Sequence, residues 1–86
     1  MYFTYVLLSK KDNKLYIGYS ANLKQRLEKH LTGKVQATKN RRPLILIYYE
    51  AYLNRADAKG REKFLKGGSG QKYLYKQLSH YFYASS

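Results

Sequence analysis

Two phenols near the start of the chain, Tyr5 and Tyr16, stand where they could act together on a phosphate group. They belong to the stretches YFTYVLLS (residues 2–9) and KLYIGYS (residues 14–20), which read as strands of one hairpin. With a short loop between the strands, Tyr5 lies opposite Gly18 and shares a face of the sheet with Tyr16. Gly18 would then leave bare backbone that a phosphate could approach closely. The plainer alternative is a pair of half-buried strand tyrosines.

Helical spacing places an arginine and a histidine one turn apart on the next predicted element. Leu23, Leu27 and Leu31 recur at this spacing and define a buried stripe. Arg26 and His30 fall on one flank of the stripe, at the edge where the helix meets the sheet. A guanidinium there could hold a phosphate through paired hydrogen bonds, and an imidazole could shuttle a proton. The structural alternative is a boundary arginine and a surface histidine.

One of the few acidic residues points toward the interior of the predicted fold. Glu62 stands one helical turn from Ala58 and from Leu65, so it shares the apolar side of its helix. An inward-facing carboxylate is costly unless it finds a cation. A lysine, an arginine or a divalent metal could be that cation, and a structural salt bridge is the commonest of these outcomes.

The elements that must position these side chains follow from periodicity, capping residues and turn signals. The pattern predicts the order β-β-α-β-α-α, with strands at 2–9, 15–19 and 44–52 and helices at 23–32, about 55–66 and about 70–80. Asn22 and Asn54 are suited to cap two of the helices, and Gly33 is suited to end the first. Apart from Glu50, the run LILIYYEAY is continuously apolar, and this predicts a central strand buried on both faces. The preceding KVQATKNRRP predicts an exposed basic loop.

The composition indicates a polyanionic partner. The chain of 86 residues is long enough for one domain, which we expect to span residues 1–86. Lys and Arg number 17 against 5 Asp and Glu, a net charge of +12, and 11 tyrosines and 3 phenylalanines lie among these charges. Nucleic acid is therefore the expected partner. A basic surface that only keeps the protein soluble is the alternative.

Other classes of protein are excluded by the residues that are missing. The sequence has no cysteine, so neither a disulfide framework nor a thiolate metal site can form. The first twelve residues have neither the basic region nor the small-residue cleavage site of a signal peptide, and their apolar run is too short to span a membrane. We therefore expect a cytoplasmic protein.

Taken in chain order, these residues resemble the GIY-YIG nuclease superfamily, and more closely its small stand-alone bacterial members. The shared features are a tyrosine on strand one, YIG on strand two, an arginine and a histidine one turn apart, and the glutamate of REKFLKG. The resemblance runs from Tyr2 to about Tyr75. Two positions depart from the pattern: the first half-motif reads TYV and lacks its glycine, and Tyr19 stands where some excision-repair relatives carry lysine. The family fold implies an α+β protein with a three-stranded antiparallel sheet flanked by three helices.

The resemblance also implies an activity, that of a metal-dependent endonuclease which hydrolyses phosphodiester bonds of DNA. Structured or branched DNA is the candidate substrate, and repair or recombination is the implied setting. The catalytic residues would be Tyr5, Tyr16, Arg26, His30 and Glu62. Of these, Glu62 would bind a single Mg²⁺ or Mn²⁺ ion. Tyr16 is the expected base, although the roles of the two tyrosines could be reversed.

The expected nucleic-acid contacts are Gly18, Tyr19, Lys39, Arg41 and Arg42. A structured substrate or a protein partner is expected to supply selectivity. The alternative function is a nucleic-acid-binding module of the same fold with little or no catalysis, and a salt bridge from Glu62 to a lysine of its own helix would favour it. Association with RNA or the ribosome is supported by charge alone.

Overall fold

The computed structural model describes residues 1–85 as a three-stranded antiparallel sheet with helices on both faces. The strands are β1 (Tyr2–Ser9), β2 (Leu15–Ser20) and β3 (Leu44–Tyr52), and the helices are α1 (Leu23–Leu31), α2 (Arg55–Lys66), α3 (Gly68–Gln77) and α4 (Ser79–Ser85). A short 3₁₀ turn, Lys39–Arg41, lies between α1 and β3. The predicted α+β class and the predicted order of strands and helices along the chain, β-β-α-β-α, are confirmed.

The central strand is β1, which pairs with β2 on one side and with β3 on the other. Its residues from Thr4 to Ser9 are all buried, whereas in β3 only Leu44 is buried and the other residues are half-buried or exposed. The prediction that β3 is central is therefore wrong. The apolar run of β3 contains tyrosines, and their hydroxyls can reach polar partners or water from an edge strand.

The hairpin has the predicted register. Tyr5 pairs with Gly18 and Leu7 with Tyr16, so the two tyrosines share one face of the sheet. Asn13 closes the turn with a φ of 58°, a left-handed conformation that asparagine adopts more readily than most residues.

An apolar cluster on each face of the sheet holds the helices in place. On the α1 face, Leu23 and Leu27 pack against Leu7 and Leu44. On the α2 and α3 face, the buried residues are Val6, Ile17, Leu65 and Leu74. Burial of each large aliphatic side chain contributes roughly 1.5–3 kcal/mol, so these clusters fix how α1 and α2 lie on the sheet.

α1 departs from the predicted stripe at its C-terminal end. Asn22 caps the helix as predicted, and Gly33 follows its end with a φ of 77°. Leu31, however, is 47% exposed, and the neighbouring His30 is fully buried. The reason is that the following loop folds back over His30 through Thr38, which is also fully buried. The loop is therefore not exposed throughout, as its composition had indicated.

The predicted final helix, residues 70–80, is two helices in the structure. α3 ends before Leu78, whose φ of −106° and ψ of 27° leave the helical region, and α4 begins at the next residue. No glycine or proline marks this break. Within residues 1–85, no helix is long and apolar enough to cross a membrane.

Candidate active site

The phenols of Tyr5 and Tyr16 face α1 from neighbouring strands. Tyr5 is only 1% exposed, and its ring lies over Gly18. A Cβ atom at Gly18 would stand 2.3 Å from Cζ of Tyr5, so any larger residue there would displace the ring. The open backbone predicted for a phosphate beside Gly18 is therefore wrong on this face, because Tyr5 fills the space.

Tyr5 belongs to a buried chain of hydrogen bonds that links β1, α1 and the loop after α1. The hydroxyl of Tyr5 is 2.7 Å from Nε2 of His30, and Nδ1 of His30 is 2.7 Å from the hydroxyl of Thr38. We name these three residues the phenol–imidazole chain. The His30 ring also meets the ring of Tyr16 edge to face, with centroids 5.2 Å apart. The histidine predicted on a helix flank is thus a buried residue between both phenols.

Burial keeps the phenol–imidazole chain neutral at pH 7. Burial, together with the nearby charge of Arg26, lowers the pKa of His30 from 6.5 to about 4. Burial also raises the pKa of Tyr5, although a hydrogen bond from Arg26 opposes this effect. Because a neutral imidazole has one donor and one acceptor nitrogen, His30 can relay hydrogen bonding from Thr38 to Tyr5 but does not act as a cation.

α1 positions the guanidinium at this site through its start and its spacing. The side chain of Asn22 accepts a hydrogen bond from the backbone N–H of Gln25 at 3.1 Å, which fixes the first turn. Arg26 and His30 follow one turn apart, so both side chains leave the helix in the same direction. Arg26 is half-buried, and it acts on the pKa of both Tyr5 and His30. The structure therefore groups Tyr5, Tyr16, Arg26 and His30, as the sequence predicts.

Glu62 belongs to α2, and its charge acts on this group. It lies on the same side of the helix as the fully buried Ala58, and its own side chain is 15% exposed. Burial is the main cause of the raised pKa of Tyr5, and the negative charge of Glu62 raises this pKa further. The carboxylate binds two lysines of its own helix, Nζ of Lys66 at 3.0 Å and Nζ of Lys59 at 3.7 Å. The cation that Glu62 needs is therefore supplied by lysines in this structure.

Glu62 is nevertheless a chemically suitable ligand for a hydrated magnesium ion. Among residues 1–85, no three His, Asp or Glu side chains converge on a common point. Mg²⁺ does not need such a cage, because it keeps several waters and is held by one or two carboxylates together with substrate phosphates. The side chains of Lys59 and Lys66 are 50% and 56% exposed, and ion pairs this exposed are weak enough to exchange.

The basic loop contributes less to an open surface than predicted. Nε of Arg41 donates to Asp12 at 2.9 Å, and its guanidinium also donates to the carbonyl of Lys14. The hydrogen bond from Arg41 lowers the pKa of Asp12 to about 2. Arg42 donates to the carbonyl of Lys39 at 3.1 Å, and both of these residues are exposed. Arg41 therefore stabilises the hairpin turn. Of the three basic loop residues predicted to contact nucleic acid, Lys39 and Arg42 are the ones that face outward.

Tyr19 lies on the opposite face of the sheet from Tyr5 and Tyr16. It pairs with Thr4 and meets basic residues of α2. Nε of Arg55 donates to the Tyr19 hydroxyl at 3.2 Å, and Nζ of Lys59 lies 4.9 Å from the centre of its ring. The sequence interpretation missed both cations, which their spacing of one helical turn could have drawn attention to.

A second polar cluster on the α2 and α3 face was also missed. Arg61 binds Glu50 through two hydrogen bonds of 2.9 Å and 3.1 Å, and the hydroxyls of Tyr48 and Tyr52 donate to the same carboxylate. We name these four residues the carboxylate cluster. Burial would raise the pKa of Glu50, but the hydrogen bonds from Arg61 and Tyr48 outweigh it and lower the pKa. Burial and Glu50 together raise the pKa of Tyr52 to about 12. Tyr48 and Tyr52 stand two residues on either side of Glu50, so all three share one face of the strand, and this pattern is visible in the sequence.

Comparison with known proteins supports the resemblance noted in the sequence. A family model described as the GIY-YIG catalytic domain matches residues 1–75. The chain is 42% identical over 72 residues to a UPF0213 protein of Staphylococcus haemolyticus, a match that covers 81% of this chain and 88% of that protein. It is 40% identical over 75 residues to the UPF0213 protein in the ldhD 5′ region of Pediococcus acidilactici, covering 84% and 76% of the two chains. A UPF0213 protein of Staphylococcus aureus is 38% identical over 74 residues, covering 85% and 89%. No solved structure matches the chain.

Proposed function

Since this chain belongs to the GIY-YIG family, we propose that it is a divalent-metal-dependent endonuclease that hydrolyses phosphodiester bonds of DNA in repair or recombination. The observation that carries the proposal is the meeting of two phenols, an imidazole and a guanidinium from β1, β2 and α1, with a carboxylate close enough to act on Tyr5. These groups can orient a water, hold a phosphate and accept a proton, which are the needs of phosphodiester hydrolysis.

Tyr16 is the better candidate for the base that activates water. It is half-buried, so a water can reach its hydroxyl, whereas Tyr5 is 1% exposed and already bound to His30. A free phenol has a pKa of about 10, so the base needs cations beside it in the bound state. Tyr5 then acts by holding the His30 ring that packs against Tyr16.

Arg26 is the candidate partner of the scissile phosphate. Its charge acts on both Tyr5 and His30, and its side chain is half-buried. An arginine in this setting can donate paired hydrogen bonds to phosphate oxygens and stabilise the charge that develops there.

Glu62 is the proposed ligand of a single Mg²⁺ or Mn²⁺ ion. When bound, such an ion would polarise the phosphate and stabilise the leaving oxygen. Without the metal ion, the Glu62 carboxylate forms ion pairs with Lys59 and Lys66. As surface cations they can move to phosphates of the substrate, which would release Glu62 for the metal.

The net charge of +12 would supply affinity that does not depend on sequence. Lys39 and Arg42 are exposed on the same loop as Thr38, which covers His30. If both contact phosphates, replacing either with glutamine should lower the slope of log affinity against log salt by about one.

Cleavage of DNA by purified protein tests the proposal. Supercoiled, flap, junction and single-stranded DNA would be incubated with Mg²⁺, with Mn²⁺ or with a chelator. We expect metal-dependent cleavage that Glu62→Gln abolishes and that Arg26→Gln slows by about 100- to 1000-fold. The control is Glu28→Gln, which removes an exposed acid of α1 and should leave the rate unchanged. Cleavage that survives Glu62→Gln, or that ignores the chelator, would contradict the proposal.

Replacement of single tyrosines tests the choice of base. Tyr16→Phe removes only the hydroxyl, so we expect cleavage to be lost while DNA binding is kept. Tyr75→Phe is the control, because Tyr75 is 44% exposed on α3, which packs on the opposite face of the sheet. Full activity of Tyr16→Phe would remove Tyr16 from the role of base.

A binding module without catalysis is the second candidate, and one observation favours it. Glu62 is paired with Lys59 and Lys66 of its own helix, as expected for a structural carboxylate. Titration of Mn²⁺ by electron paramagnetic resonance, with DNA present, separates the two functions. The nuclease requires a bound ion that Glu62→Gln loses, whereas the binding module retains its DNA affinity with no ion bound at Glu62.

A further inference from the structure

A patch of aromatic and basic side chains lies on the α2 face of the hairpin. Tyr19 pairs with Thr4, whose hydroxyl donates to the carbonyl of Ala58 in α2, so the Tyr19 ring faces that helix. The ring of Tyr2 is parallel to that of Tyr19, with centroids 6.5 Å apart and planes 10° apart. With Arg55 and Lys59 of α2, these two tyrosines form what we name the Tyr19 patch.

The two cations of the Tyr19 patch are placed at some cost to the helix. Arg55 and Lys59 are one turn apart, and like charges at this spacing destabilise a helix. Arg55 is also the first residue of α2, where the helix dipole disfavours a positive charge. Among residues 1–85, Arg55 has no carboxylate within ion-pair distance. The contacts of both cations with Tyr19 and the ion pair of Lys59 with Glu62 offset part of this cost, and a bound anion would offset more of it.

The Tyr19 patch adjoins the proposed site of cleavage. Nζ of Lys59 lies over the Tyr19 ring and is also 3.7 Å from Oε1 of Glu62. A single lysine therefore connects the aromatic rings to the carboxylate that is the candidate metal ligand. A DNA strand that binds at Glu62 would place its neighbouring nucleotide at these rings.

We propose that the Tyr19 patch binds an unpaired nucleotide beside the phosphodiester bond that is cut, so that the substrate is DNA with a single-stranded flank. This inference rests on the proposed nuclease function. Within a duplex, the faces of each base are covered by its neighbours, so only an unpaired base can stack on a tyrosine ring. Nζ of Lys59 lies over the Tyr19 ring in the structure, and the side chain is 50% exposed. Lys59 would therefore leave this ring face to the base and, together with Arg55, bind the phosphate of the same nucleotide. Stacking on aromatic rings is tolerant of sequence, so the patch selects a DNA shape and not a base.

Equilibrium binding without divalent metal tests this inference independently of cleavage. Fluorescence anisotropy would compare a blunt duplex with the same duplex carrying a single-stranded flap. We expect Tyr19→Leu to weaken flap binding about 5- to 150-fold, the range that loss of one stacked base produces. Binding of the blunt duplex should change less than about twofold, because its bases are already stacked.

Tyr75→Leu is the matched control for this experiment. Tyr75 is also an exposed tyrosine with an aromatic neighbour, Phe82, at a centroid distance of 4.6 Å, but it lies on α3. This variant should bind both DNAs as the native protein does. An equal loss on flap and duplex in Tyr19→Leu, no loss at all, or the same loss in Tyr75→Leu would overturn the inference.

Arg55→Gln is a second variant that keeps the rings and the fold of the hairpin. It should weaken flap binding several-fold and lower the slope of log affinity against log salt by about one. This variant therefore tests the inference even if Tyr19→Leu fails to fold. Unchanged flap binding in Arg55→Gln would contradict it. Flap-selective binding by a protein that cuts nothing would refute the nuclease function alone. Cleavage without any preference for a flap would refute this inference alone.

Discussion

Each face of the sheet carries a polar cluster, and the two clusters are built in opposite ways. On the α1 face, the phenol–imidazole chain is fully buried and neutral, because burial with Arg26 nearby lowers the pKa of His30 to about 4. On the α2 and α3 face, the carboxylate cluster holds a full ion pair between Glu50 and Arg61, whose side chains are 18% and 24% exposed. A charge can be kept in the second cluster because four hydrogen bonds surround the carboxylate.

The difference assigns the two faces different tasks. Neutral partners can exchange donor and acceptor roles, so the phenol–imidazole chain is suited to proton movement beside a reacting group. Fixed charges are suited to holding elements together. Arg61 joins α2 to the edge strand β3 and is the residue before Glu62, so the carboxylate cluster fixes the rotation of the helix that carries the candidate metal ligand.

Loss of one member of the ion pair should give the largest effect on stability. Glu50→Leu leaves the guanidinium of Arg61 partly buried without its carboxylate, and we expect unfolding in urea to become easier by about 3 kcal/mol. The double variant Glu50→Leu/Arg61→Met removes both charges and keeps apolar volume. It should lose clearly less stability than Glu50→Leu. If the double variant lost as much stability as Glu50→Leu and Arg61→Met lose separately when added together, the two charges would not be energetically coupled.

The two clusters should lose stability in separate ranges of pH. The pKa of His30 is lowered from 6.5 to about 4, so its contribution is complete above pH 6.5 and declines as the pH falls from 6.5 toward 4. The full decline is on the order of 3 kcal/mol. The pKa of Glu50 is lowered from 4.5, so its contribution is complete above pH 4.5 and is lost below its folded pKa.

Urea unfolding of two variants at a series of pH values separates these ranges. His30→Gln should remove the decline between pH 6.5 and 4.5, and Glu50→Gln should reduce only the decline at lower pH. A native protein whose stability is constant from pH 7 to pH 4.5 would show that His30 is not held neutral by burial.

Local patterns were enough to predict the hairpin and the grouping of four residues of the candidate site. The turn around Asn13 sets which residues pair, so Tyr5 and Tyr16 could be placed on one face from the sequence. The spacing of Arg26 and His30 on a capped helix followed in the same way. Each of these predictions depends on residues close together in the chain, where turn geometry and helical period decide the outcome.

Contacts between distant segments were the part that local patterns could not supply. The centre of the sheet is β1 and not β3, because strand order depends on which edges meet in space. His30 is buried because Thr38, eight residues later, folds over it, and no periodicity marks that loop residue. Gly18 was expected to leave space for a phosphate, but the ring of Tyr5, which is distant in sequence, fills the space that a side chain at Gly18 would need.

Thr38 offers the finest test of the contrast between the neutral and the ionic cluster. Thr38→Val keeps the shape of the side chain and removes the hydroxyl 2.7 Å from Nδ1 of His30. That nitrogen then lacks a partner in a fully buried site, which should cost about 1–2 kcal/mol. Thr38→Ser retains the hydroxyl and should recover most of this loss. Thr32→Val is the control, because the Thr32 hydroxyl is exposed and donates only to backbone carbonyls at the end of α1.

The ¹⁵N chemical shifts of the imidazole show whether Thr38 does more than fill space. The hydroxyls of Thr38 and Tyr5 meet the two ring nitrogens of His30, so together they determine which nitrogen carries the proton. We expect Thr38→Val to change the ratio of the two tautomers and Thr38→Ser to leave it near the native value. An unchanged ratio would make Thr38 a packing residue. A stability loss in Thr38→Val as large as that in Glu50→Leu would remove the distinction between the clusters, because a neutral hydrogen bond would then matter as much as a buried charge.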